Sequence, residues 1–167
     1  MTFSFRTLIG VAAVSAAVLL PASALAAPTV APQCQTSGLV VWLNTQGNAA
    51  AGSSYYTLEF TNLSGHTCIL KGYPGVSALG LNGAALGSAA SREPSTTSAV
   101  TLSAGSAATA VLRIVVAQNY PVSKCHSVTA AALRVYPPGQ TAAKVVPFPF
   151  SACSKPGPQF LTVKAVA

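Results

Sequence analysis

Two stretches of the chain alternate apolar and polar side chains with the period of a half-buried strand. In Tyr55–Thr61, Tyr56, Leu58 and Phe60 fall on one face and Tyr55, Thr57, Glu59 and Thr61 on the other. In Ala107–Val116, Ala110, Leu112, Ile114 and Val116 share a face, and Thr109, Val111, Arg113 and Val115 share the opposite one. Val40–Leu43 is an uninterrupted apolar run. It predicts a strand over Gly38–Asn44 covered on both sides, with Trp42 in the core against a cystine. Asn44–Ser54, rich in Gly, Ala, Asn and Ser, reads as a loop. Asn62-Leu63-Ser64-Gly65 is a turn signal, so Tyr55–Thr61 and Thr67–Lys71 read as the two arms of a hairpin. Pro74-Gly75 ends the second arm, because proline lacks the donor that a ladder needs.

Further strands follow at short intervals. Val76–Leu81 and Ala84–Gly87 flank Asn82-Gly83, a strong hairpin-turn pair. Val100–Leu102, Ala130–Tyr136, Lys144–Val146 and Phe160–Val166 read as strands, with Leu133, Val135, Leu161 and Val163 inward and Arg134 outward. Pro147-Phe148-Pro149-Phe150 suits only an edge or extended segment. Ser88–Ser98 and Gln118–Ser127 read as loops, and no stretch beyond residue 26 has a helical period. The pattern predicts an all-β, immunoglobulin-like antiparallel β-sandwich of about eight or nine strands.

The N-terminus has a different character. Arg6 precedes an uncharged apolar stretch, Leu8–Leu20, then Pro21 and Ala24-Leu25-Ala26. This is the layout of a secretory signal peptide over residues 1–26. The apolar stretch is shorter than the roughly 20 residues that span a bilayer. Residues 27–33 form a Pro/Ala-rich leader expected to be loosely ordered, and residues 34–167 a single domain. The mature chain is expected to contain no transmembrane segment.

Charge is sparse: 7% of the 167 residues are charged and 51% are hydrophobic. Without Arg6, eight Lys or Arg face Glu59 and Glu93, the only carboxylate side chains, a net of +6. With so few acids, neither a Ser-His-acid triad nor a glycosidase carboxylate pair is readily assembled, and no Gly-x-Ser-x-Gly elbow is present. The expectation is a non-enzymatic binding or structural module of the cell envelope or extracellular space. It needs no cofactor and has no catalytic or cofactor-binding residue. The rival reading is a secreted enzyme or enzyme inhibitor using Glu93 in the Ser88–Ser98 loop.

Lys71, Arg92, Arg113, Lys124, Arg134, Lys144, Lys155 and Lys164 are scattered along the chain rather than gathered in a basic stripe. Nucleic acid is therefore not expected as a partner. An anionic envelope polymer fits better, since exposed cations attract polyanions over long range; another secreted protein is the second candidate. Tyr73, Tyr120 and Tyr136 lie at strand–turn boundaries, where aromatic side chains pin turns.

Cys34, Cys68, Cys125 and Cys153 make an even count, which in an exported chain implies disulfides. Four cysteines allow three connectivities, and sequence alone selects none. Cys34–Cys68 with Cys125–Cys153 is preferred because each link closes a compact local segment. Were the thiols free, His66, Cys68, Cys125 and His126 would supply a Cys2His2 set, although their spacing is unlike that of zinc sites. No metal is expected.

Several of these residues together carry a resemblance. They are Cys34, Gly52-Ser53, Thr61-Asn62, the run Thr67–Gly75 (Thr-Cys-Ile-Leu-Lys-Gly-Tyr-Pro-Gly), Thr101–Gly105, Cys125, Val135–Gly139 with its Pro-Pro-Gly turn, and Cys153. The pattern resembles the bacterial secreted domain-of-unknown-function family four-two-three-two, over nearly all of the mature chain. The resemblance implies an exported β-sandwich of cell-envelope proteins and implies no known activity. Some members carry a lipobox; here no cysteine directly follows the apolar stretch.

Overall fold

A computed structural model describes residues 1–2 and 30–167. The signal-peptide reading of residues 1–26 falls almost wholly outside them. Among the described residues, eleven strands follow in chain order: β1 (Leu39–Ala50), β2 (Ser53–Asn62), β3 (Cys68–Lys71), β4 (Gly75–Leu79), β5 (Ala85–Leu86), β6 (Ser91–Arg92), β7 (Ala99–Leu102), β8 (Ala107–Val115), β9 (Ser127–Tyr136), β10 (Lys144–Cys153) and β11 (Leu161–Val163). One helical turn, α1 (Val122–Cys125), lies in the loop before β9.

The strands form a five-stranded sheet in the order β1-β2-β8-β11-β6, a four-stranded sheet β10-β9-β4-β5 and a two-stranded ribbon β3-β7. The all-β sandwich expected from the pattern is the fold. Its core draws on both large sheets: Leu58, Phe60, Leu112 and Leu161 from one, Val76, Leu133, Val135 and Val146 from the other. Cross-strand rows explain the packing. Leu43, Leu58 and Ala110 lie side by side across β1, β2 and β8, and Ala78, Leu133 and Val146 do so across β4, β9 and β10. Each row presents one apolar side chain per strand to the facing sheet, as the two-residue period requires.

Several expectations need correction. β2 and β3 are not a hairpin. β2 is paired along its length by β1 on one side and β8 on the other, while β3 crosses away to pair with β7. These long neighbours make many more cross-strand pairs with β2 than a four-residue strand would, and such pairs are what stabilise a sheet. The crossing is held by Asn62, which is fully buried. Its Nδ2 donates to Leu102 O at 2.9 Å and His66 O at 2.8 Å, while its Oδ1 accepts from Ser64 N at 3.0 Å and Ser64 Oγ at 2.6 Å. One side chain thus binds the turn to the start of the next connection and leaves no buried polar atom of its own unpaired.

Trp42 is not in the core. It is 43% exposed, and Val40 is 44% exposed. β1 is an edge strand: Leu39 and Leu43 face inward and Val40 and Trp42 line the solvent side, so the apolar run is covered on one face only.

The stretch Asn44–Ser54 is not a loop but the far end of the β1–β2 hairpin, closed by Ala51 and Gly52 at φ 46° and 71°. Positive φ at both central residues is the twist-matched turn of a two-residue hairpin. At Val116 the chain leaves β8, which exposes Val116 at 40% and leaves Val115 buried, the reverse of strict alternation.

The Ser88–Ser98 loop contains β6, which pairs parallel with β11, so the sheets are not wholly antiparallel. The described part of the leader is tied down: Ile69 N donates to Pro32 O at 2.9 Å and Gln33 Nε2 to Pro138 O at 2.9 Å. Pro147 and Pro149 lie in β10 at the edge of its sheet, where the register breaks between Pro147 and Phe150.

Candidate functional site

Cys34 is joined to Cys68, and Cys125 to Cys153. All four are buried. The first link ties the leader to β3; the second ties the end of α1 to the end of β10. Oxidation removes the thiolates that a Cys2His2 site would need. His66 instead has Nδ1 3.1 Å from Ser64 O, and His126 has Nδ1 3.0 Å from Ser154 Oγ. His66, Cys68, Cys125 and His126 are not brought together, and the described residues contain no group of three His, Cys, Asp or Glu placed to hold a metal.

Glu93 accepts from Lys164 Nζ at 3.2 Å, with both side chains well exposed. Beside it, Tyr73 fastens the Ser88–Ser98 loop: its hydroxyl accepts from Ser95 N at 3.0 Å and donates to Ser95 O at 3.2 Å. The Arg92 guanidinium lies 5.6 Å from the centre of the Tyr73 ring, within the range of a cation–π contact. Tyr120 donates to Gln159 O at 3.2 Å. These tyrosines pin turns, and the loop that the rival enzyme reading singled out is held by structural contacts.

A cavity opens instead where β2, β8 and β10 end together. It measures about 120 Å³ and is lined by Ser54, Tyr56, Ile114, Val116, Phe150 and Ser151, among others. Alternation places Tyr56 on the inner face of β2, where its ring meets Phe148 edge-on at 4.9 Å between centres; Phe148 stacks on Phe150 at 5.6 Å. The prolines of β10 interrupt its ladder; Phe150 after them forms the aromatic wall with Tyr56, and Phe148 between them packs against both rings. Gly47 lets β1 pass close over the Tyr56 ring: a Cβ there would lie 2.7 Å from that ring and from Tyr55 O.

Polar groups continue outward from the rim. Gln118 Nε2 donates to Ser151 Oγ at 3.1 Å, and Ser127 Oγ lies 2.8 Å from Ser151 Oγ. Next along the chain stand His126 and, hydrogen-bonded to it, Ser154. Ser154 Oγ also donates to His126 O at 2.9 Å, so the hydroxyl is shared with a backbone carbonyl. Lys124 and Lys155 flank this pair and are exposed; Lys155 Nζ donates to Ser123 O at 3.1 Å. No carboxylate belongs to the group. Glu59 lies in β2 and Glu93 just beyond β6, both on the five-stranded sheet.

The arrangement is therefore a small aromatic-walled recess with hydroxyl and amide groups at its lip and cations beside it. Such a surface offers a stacking wall, hydrogen-bond partners and a positive field. Sequence reasoning reached Cys125, Cys153 and the Pro-Phe-Pro-Phe run, but not Ser54, Tyr56 or Ser151 as neighbours. The aromatic spacing in that run was the one available signal.

Among the described residues no helix is long and apolar enough to cross a membrane. No curated protein and no solved structure matches the chain. A family model described as "Domain of unknown function (DUF4232)" matches residues 34–167, from the first cysteine to the last residue, and the chain belongs to that family.

Proposed function

We propose that this chain is an exported, non-catalytic binding module of the cell envelope or extracellular space, and that its partner is an anionic envelope polymer. The observation that carries this reading is the company kept by the cavity. Its lip leads through Ser151 and Ser127 to His126, Lys124 and Lys155, while Glu59 lies farther along β2 and Glu93 is paired with Lys164. An aromatic wall suits the face of a sugar ring, hydroxyl groups suit its substituents, and the cations suit phosphate or carboxylate groups along the polymer. Export is supported by the two closed disulfides, which persist in oxidising compartments. The non-catalytic reading is supported by the engagement of Glu93 with Lys164 and of the Ser154 hydroxyl with a backbone carbonyl.

The test is a titration with poly(glycerol phosphate), with dextran as the uncharged control. The phosphate polymer is expected to bind and dextran to bind far more weakly. Binding should weaken steeply between about 0.01 and 0.15 M ionic strength, where the screening length shrinks from roughly 30 to 8 Å. The double variant Lys124→Glu, Lys155→Glu should lose about tenfold or more in affinity with an unchanged melting temperature, since both side chains are exposed. Equal binding by the variant, or binding indifferent to salt, would sink the proposal.

A further inference from the structure

The four edges of the two main sheets differ in how they are protected. β5 and β6 are two residues long, and β10 carries Pro147 and Pro149. β1, the remaining edge, runs for twelve residues with neither a proline nor a charge. Among the described residues, no backbone–backbone hydrogen bond reaches Val40–Ala50 from any segment other than β2. The register irregularity between Asn44 and Asn48 disturbs only its far half. Val40–Asn44 is thus a regular open edge, beginning just after Leu39, whose N–H donates to Thr36 O, and Val40 and Trp42 stand on its solvent face at 44% and 43% exposure. Edges of this kind are normally blunted by charge, proline, brevity or a bulge.

We propose that the open edge Val40–Asn44 pairs antiparallel, about Val41, with the same edge of a second copy, giving a two-fold dimer in which two five-stranded sheets join into one of ten. The segment Leu39-Val40-Val41-Trp42-Leu43 is apolar throughout and nearly symmetric about Val41. A register centred on Val41 sets Val40 opposite Trp42 of the partner, and Trp42 opposite its Val40. Aromatic–β-branched pairs of this kind are among those that stabilise adjacent strands. The same register sets Leu39 opposite Leu43 on the core side. An interface that uses one patch on both copies closes on itself rather than growing into a fibre. Although the chain is basic overall, β1 brings no like charges together. The surface is distinct from the cavity and does not depend on the function proposed above.

Trp42 is the only tryptophan, so its emission reports on this edge alone. The exported protein is expected to sediment as a dimer, with emission shifting to shorter wavelength as concentration rises through the dissociation constant. Val40→Lys is expected to raise that constant by about tenfold or more, with circular dichroism unchanged, because it replaces a valine on the solvent face. Trp42→Lys should do the same by sedimentation. A wild-type monomer at every concentration up to the solubility limit would overturn the proposal, as would a dimer that persists undiminished in both variants.

Discussion

Replacing Cys125 and Cys153 together by serine is expected to destabilise the domain by about 3–4 kcal/mol, measured by denaturant unfolding. The link spans 28 residues, and closing a loop of that size removes roughly this much freedom from the unfolded chain on the entropy model. What the link holds makes the loss local as well as global. β10 is an edge strand with two prolines and a break in its register between Pro147 and Phe150, so only the short run Phe150–Cys153 beyond the break pairs its end with β9. Both sulfurs are buried, and the replacing hydroxyls would enter an apolar setting. The Cys34–Cys68 pair, which spans 34 residues, should cost a similar amount when removed. A loss below about 1 kcal/mol for either pair would mean that the fold does not rely on them.

The second large effect concerns the centre of β2. Leu58→Ala is expected to cost about 2–5 kcal/mol, because Leu58 is fully buried between Leu43 and Ala110 and faces the opposite sheet. Thr57→Ala, one residue away and on the outer face, should change stability by no more than about 0.5 kcal/mol. The contrast is the informative quantity, since a one-residue slip in register would exchange the two results. Comparable losses for both variants would contradict the register described here.

Among the strands legible in advance, the clearest were those whose period of two is a local property of the chain, Tyr55–Thr61 and Ala107–Val116. Each has one face in the core and the other toward solvent, and alternation records that directly. Val40–Leu43 misled because an uninterrupted apolar run looks the same whether a strand is covered twice or stands at an edge with exposed Val and Trp. Strand partners were not legible either. The turn at Asn62–Gly65 is real, but it directs β3 to β7, and the choice depends on β1 and β8 competing for β2. The far end of the β1–β2 hairpin was hidden by its turn, Ala51-Gly52, which lacks the Asn or Asp that usually marks one.

The same distinction governs the candidate site. The cysteines and the Pro-Phe-Pro-Phe run carry a chemical signature in the chain itself, so they were visible early. The recess is built from Ser54 and Tyr56 on β2, Ile114 on β8, Val116 just after it and Phe150 and Ser151 on β10. Nearly a hundred positions separate Ser54 from Ser151. Only the stacking of two sheets brings them together, and nothing in the composition of either stretch announces it. The cations were visible individually as scattered residues. That Lys124 and Lys155 gather at one end, beside His126, follows from the Cys125–Cys153 link and the pairing of β9 with β10.

The most direct test of the proposed role is to see where an anionic polymer touches the molecule. Backbone amide shifts, followed by NMR during titration with poly(glycerol phosphate), would locate the contact without assuming it. The account predicts that the largest shifts fall in Gln118–Ser127 and Ser151–Gly157, together with Ser54 and Tyr56 at the recess, and that Trp42 and the outer face of β2 remain still. Shifts centred on Trp42, or on Glu93 and Lys164, with none around the Cys125–Cys153 end, would contradict it.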